Sequence, residues 1–272
     1  MSRRQSLGIV VASALLVLAT SGTALAADPT ASTGQLVGLV NDVAGKTPAQ
    51  LGYTDADVAS KAAAVKRLEA QRQAGTVSVS PMATTSLGGY VEFHQKTQAQ
   101  CLAATVQSIL HYRFGDGWVA PSIAGMQTTI NAHTGTSESN AISYINQKFD
   151  SYNFGFHYVV AAKGTRTWFN DDIIIDVGNL AMPSYTTVNV QSAAYAWHQT
   201  QAANHATTVS AYDGGAAVTT VSLDDPYTSA SVGPGCHVYN GYPGYSSTPN
   251  YGCIYTQFDT QRLYTASEHQ WY

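Results

Sequence analysis

Apolar residues recur at helical spacing just after Cys101, where Leu102, Val106, Ile109 and Leu110 hold the i, i+4, i+7 and i+8 positions of one face. That pattern predicts a core-facing helix opening at the cysteine. A second stripe, Ile142, Ile145 and Phe149, predicts a helix from Ser137, and a third runs through "TWFNDDIIIDVGNL" to Gly178-Asn179. In the second half strands dominate: "HYVVAA" (157–162), "SYTTVNV" (184–190), "HATTVSAYD" (205–213) and "AVTTVSLDD" (217–225). Asp213-Gly214-Gly215 reads as a hairpin turn between the last two, because glycine supplies the positive φ such turns need. Helices followed by strands within residues 89–272 predict one α+β domain, with N-terminal helices packed on an antiparallel sheet.

Residues 1–26 follow another pattern: Arg3 and Arg4, an apolar run from Leu7 to Ala19, and small residues to Ala26. This is the form of a secretory signal peptide, since the run is nearer a dozen residues than the roughly 20 that cross a bilayer. Residues 27–88 read as an N-terminal helical extension or a propeptide with a linker. Thr54 offers an N-cap and Gly75 a stop, and the Ser- and Thr-rich "TVSVSPMATTSLGG" follows. Propeptide, spacer and packed arm all fit that composition.

Export changes what the remaining composition means. Thirteen Lys and Arg against 17 Asp and Glu give a net charge of −4, more negative still once Arg3 and Arg4 are removed. Nothing in that balance points to nucleic acid, and no other segment is apolar enough to hold the secreted, extracellular chain at a membrane. Three cysteines are present. Cys236 and Cys253 flank a Tyr-, Gly- and Pro-rich loop, and in an oxidising compartment they are expected to form a disulfide. A metal site with His237 lacks further ligands at suitable spacing, so no metal and no cofactor is expected. Cys101 is then the cysteine left over.

At the start of a helix, Cys101 would meet backbone N–H groups and the positive end of the dipole, which favour the thiolate. Gln95, six residues upstream, offers a side-chain amide for an oxyanion. His205 opens a strand, and the turn at Asp213 returns the chain so that Asp225 comes back beside it. A thiol, an imidazole and a carboxylate in that arrangement support nucleophilic acyl transfer. Asp224 competes with Asp225 for the third place, and strand alternation sends the two to opposite faces.

Gln95, Cys101 opening a helix, "NHATTVSAYDGG" (204–215) on a strand and Asp225-Pro226-Tyr227 closing the next one together resemble the peptidase family C-39-like domains. These are relatives of the bacteriocin-processing peptidases within the papain-like cysteine peptidase fold, and the resemblance covers residues 89–272. It implies a nucleophile at Cys101, an oxyanion donor at Gln95, a general base at His205 and an orienting acid at Asp225. Family members usually follow the nucleophile with Gly-Pro or Gly-Val. Here Leu102-Ala103 stands in that place, a bulkier pair expected to narrow the cleft.

The expected function is a secreted cysteine peptidase (a hydrolase) acting on peptide or protein substrates through an acyl-enzyme. An amidase or acyltransferase on cell-wall peptides, or a non-catalytic binding module of the same fold, uses the same residues. The substrate and the oligomeric state are not written in the sequence.

Overall fold

The computed structural model describes residues 39, 42–75, 84–95, 100–115, 123–162, 164–189, 204–214, 218–226, 236–238 and 253–271. The expected signal peptide, the linker at 76–83 and the loop at 239–252 lie outside the described residues. In chain order the elements are α1 (Asp55–Gln73), β1 (Thr85–Ser86), α2 (Cys101–Phe114), α3 (Ile123–Thr134), α4 (Glu138–Ser151), β2 (Val160–Ala162) and α5 (Arg166–Ile173). A π-helical turn (Ile174–Leu180) continues α5, and β3 (Ser184–Asn189), β4 (Asn204–Asp213), β5 (Thr220–Asp225), β6 (Cys236–Val238), β7 (Cys253–Asp259), α6 (Thr260–Ala266) and β8 (Ser267–Trp271) follow. This is an α+β arrangement.

The strands form one sheet in the order β2-β8-β3-β4-β5-β7-β6, each neighbouring pair antiparallel, with β1 added on β4. Alternate positions feed two cores. Tyr185 and Ala206 join one with α2, α4 and Leu51, whereas Val188 and Val209 join the other with Val65, Ile173 and Leu263. Successive strand side chains point to opposite faces, so these are the two sides of the sheet.

Local chemistry explains where the helices start. Thr54 accepts from the Asp57 N–H while Asp57 returns a bond to the Thr54 N–H, which closes a capping box on α1. The Ser137 hydroxyl caps α4. Gly178, within the π turn, packs against Tyr212 of β4. A Cβ there would stand 2.6 Å from the Tyr212 hydroxyl, so only glycine lets the turn lie this close to the sheet.

The segment from Leu39 to Gln73 packs on the sheet and helices. Leu39 donates its N–H to the Asn204 carbonyl at 3.1 Å, and the carboxylate of Asp42 accepts from Ser137 and Ser139 at the start of α4. Asn146 of α4 donates to the Leu51 carbonyl at 3.1 Å. From α1, Arg72 pairs with Asp171 and Lys61 with Asp176 at 3.4 Å, with both aspartates buried.

The cysteines near the C-terminal strands stand differently from expectation. Register sets Cys236 opposite Tyr255 and Val238 opposite Cys253, so the two cysteines lie on one face but two positions apart. Such diagonal neighbours are about 7–8 Å apart at Cα, beyond the roughly 4.4–6.8 Å of a disulfide. The expected Cys236–Cys253 bridge is therefore not made in this register. Among the described residues, no helix is long and apolar enough to cross a membrane.

Candidate functional site

Cys101 is the first residue of α2, and Gln100 before it makes no side-chain cap. The first-turn N–H groups therefore face the sulfur without a competing capping oxygen. Leu102, Val106, Ile109 and Leu110 are buried on the helix and hold this end in the core. Leu102 is wholly inside that core, so the bulk after Cys101 fills the interior.

His205 sits at the start of β4. Thr208 stands opposite Asp224 in the β4–β5 register, which puts Asp224 on the Thr208 face and Asp225 on the other, with His205. The geometry follows that alternation: His205 Nε2 lies 2.7 Å from Asp225 Oδ1. Burial would lower the His205 pKa, but the Asp225 carboxylate and its hydrogen bond, together with Cys101, outweigh burial and raise it to about 10. Cys101 is within hydrogen-bonding reach of the same imidazole. The structure thus brings Cys101, His205 and Asp225 together and sends Asp224 elsewhere.

Gln95 is placed through its backbone. Its N–H donates to the Pro226 carbonyl at 2.8 Å, and His94 Nδ1 lies 3.1 Å from the same oxygen. Gln127 of α3 donates from Nε2 to the His94 carbonyl at 3.0 Å. The chain entering the site is therefore clamped to the residue after Asp225 on one side and to α3 on the other. The Gln95 side chain is buried, and neither its oxygen nor its nitrogen has a hydrogen-bond partner among the described residues. A buried, uncommitted amide is costly unless something comes to meet it.

The site is closed in this conformation: Cys101 is 3% exposed, Gln95 and His205 2%, and Asp225 0%. Among the described residues, no group of His, Cys, Asp and Glu is arranged to hold a metal ion.

Sequence reasoning missed Gln127 and a second polar cluster on the Asp224 face. Glu92 there is fully buried, accepting from Tyr90 Oη at 2.6 Å and from Thr208 Oγ1 at 3.1 Å. A signal was present in "YVEFH", a carboxylate between Val91 and Phe93 in a short extended run. No family model, curated protein or solved structure matches the chain.

Proposed function

We propose that this chain is an exported cysteine peptidase of the papain-like, C-39-like type, with Cys101 as nucleophile, His205 as acid and base, Asp225 as orienting carboxylate and Gln95 as oxyanion donor. The observation that carries the reading is the 2.7 Å His205–Asp225 contact, with Cys101 at a helix start reaching the same ring. Asp225 takes Nε2, so Nδ1 is the nitrogen that serves the sulfur.

With its pKa near 10, His205 holds a proton at neutral pH, and the reacting form is that imidazolium with the Cys101 sulfur as nucleophile. The sulfur attacks the carbonyl carbon of a peptide bond, and the C=O π electrons move onto oxygen. The Gln95 amide and the first N–H groups of α2 receive that oxyanion. Collapse breaks the C–N bond, and the amine leaves with the proton from His205. Neutral His205 then takes a proton from water as its oxygen attacks the thioester. A second collapse frees the acid and returns the proton and the thiolate to the starting pair.

The test is digestion of a mixed peptide pool by the purified chain, read by mass spectrometry, beside Cys101→Ala and His205→Ala. New termini made only by the unaltered chain support the reading, and equal products from Cys101→Ala overturn it. A second reading, a non-catalytic module of the same fold, is favoured by the near-complete burial of all four residues. It requires that iodoacetamide fail to label Cys101 in the folded protein while labelling it after unfolding.

A further inference from the structure

We infer that Glu92 is a positioning residue for this site, a buried carboxylate at the point where the three chain segments bearing Gln95, Cys101 and His205 are held in register. The inference rests on the proposed cysteine chemistry for its meaning, and on geometry for its content.

Each contact of Glu92 leads to a different segment. Glu92 lies three residues before Gln95, in the same run. Thr105 and Ser108 of α2 lie beside Glu92, and they follow Cys101 by four and seven residues, which places them on its side of the helix. Ser108 also accepts from the Phe93 N–H at 2.8 Å, which fastens the Glu92 run to α2. Thr208, which donates to Glu92 at 3.1 Å, is three residues along β4 from His205. Asp224 of β5 is repelled by the Glu92 charge and is no anchor for it. The Gln95 run, α2 and β4 are therefore the elements joined at Glu92, by its own bond to Thr208 and by the Phe93–Ser108 bond beside it.

A carboxylate with no exposure is kept in a fold only where several donors meet it. Tyr90 closes the set: its hydroxyl donates to Glu92 at 2.6 Å and stands 2.8 Å from Thr208 Oγ1. Burial raises the Glu92 pKa, and the hydroxyls of Tyr90, Thr208, Thr105 and Ser108 restrain the rise to about 7. The titratable groups facing it are Tyr90 and Asp224. Burial holds both well above their ordinary values, which leaves Tyr90 neutral near pH 7, where Glu92 changes charge. Ionised, it accepts charge-assisted bonds from Tyr90 and Thr208 on one oxygen. Protonation removes the charge and weakens both, so the register loosens as pH falls through about 7.

Glu92→Gln keeps the shape and fixes the neutral state. The measurement is the rate of Cys101 alkylation by iodoacetamide in the folded protein across neutral pH. The unaltered chain and Glu92→Gln should react alike in mild acid, and the ratio of their rates should climb to ~10-fold in mild alkali, through an inflection near neutrality. A ratio that stays flat with pH overturns the inference, because a merely structural loss has no reason to follow the Glu92 titration. Should Glu92→Gln fail to fold, Thr208→Val removes one donor and leaves the carboxylate. Its alkylation inflection should move to higher pH, and an unmoved inflection is equally fatal. Alkylation needs no turnover: the pH-dependent ratio without peptide cleavage would sink the peptidase reading and leave Glu92 in its role, while cleavage with a flat ratio would do the reverse.

Discussion

His205 and the two adjacent aspartates show how one strand separates two jobs. Asp225 shares a face with His205 and bonds it, while Asp224 lies among Glu92, Thr208 and Ser210 and is held well above the ordinary carboxylate range, by burial first. Asp225→Asn should lower peptide cleavage by roughly 10²-fold or more, because the imidazolium loses its counter-charge and its preferred orientation. Asp224→Asn keeps the shape of a side chain on the face away from His205 and should cost about threefold or less. Steady-state rates of the two variants decide between them, and the opposite ranking would move the orienting role to Asp224. The choice between them was open from local sequence alone; register to Thr208 is what separates them.

At the scale of elements, α1 is tied to the π turn by groups that water does not reach. Lys61 is buried beside the carboxylate of Asp176, and its ammonium also lies 4.2 Å from the centre of the Phe156 ring. Burial raises the Asp176 pKa, and Lys61 holds the rise to about 7, against about 3.9 in an unfolded chain. The folded state thus keeps a proton that the unfolded state releases, so the stability from this group is full below about pH 4 and is lost as pH rises to about 7. Lys61→Met removes the opposing cation and extends that loss to higher pH. It should cost about 3 kcal/mol in mild alkali and less in mild acid, where Asp176 takes up a proton. Thermal melts of both chains across pH measure the difference, and a cost that does not grow with pH would contradict the account. The elements legible in the sequence were those with local signals, such as the Thr54 cap, the stripe after Cys101, the Ser137 cap and the run ending at Asp225. Helix α3 escaped because "IAGMQTTINAHT" carries Gly125 and several β-branched residues, and β8 because "SEHQW" has little apolar alternation. In the same way Gln95, Cys101, His205 and Asp225 were readable from order and turn chemistry, while Glu92 was not, since Thr208, which meets it, stands 116 residues away.

Across the whole molecule the sheet is joined by β8, which lies between β2 and β3. Trp271 of β8 is fully buried, stacks on Tyr185 with centroids 3.7 Å apart and donates from Nε1 to Glu138 at 2.8 Å. Trp271→Ala should destabilise the fold by about 3–5 kcal/mol, seen as a lower urea midpoint, since it opens a cavity and strips a donor from a buried carboxylate. A midpoint unchanged from that of the unaltered chain would mean that β8 is not what joins β2 to β3. The placement of β8 also governs the order of events in time. Val160 pairs with Trp271 across a separation of roughly 110 residues, and β2 reaches β3 only through that strand. Contacts so far apart form slowly, because the intervening chain must first give up its freedom. While a ribosome is still adding residues, β2 and β3 remain unjoined and their edges stay open to other chains. Closure of the sheet therefore waits for residues 267–271, the strand on which both edges depend.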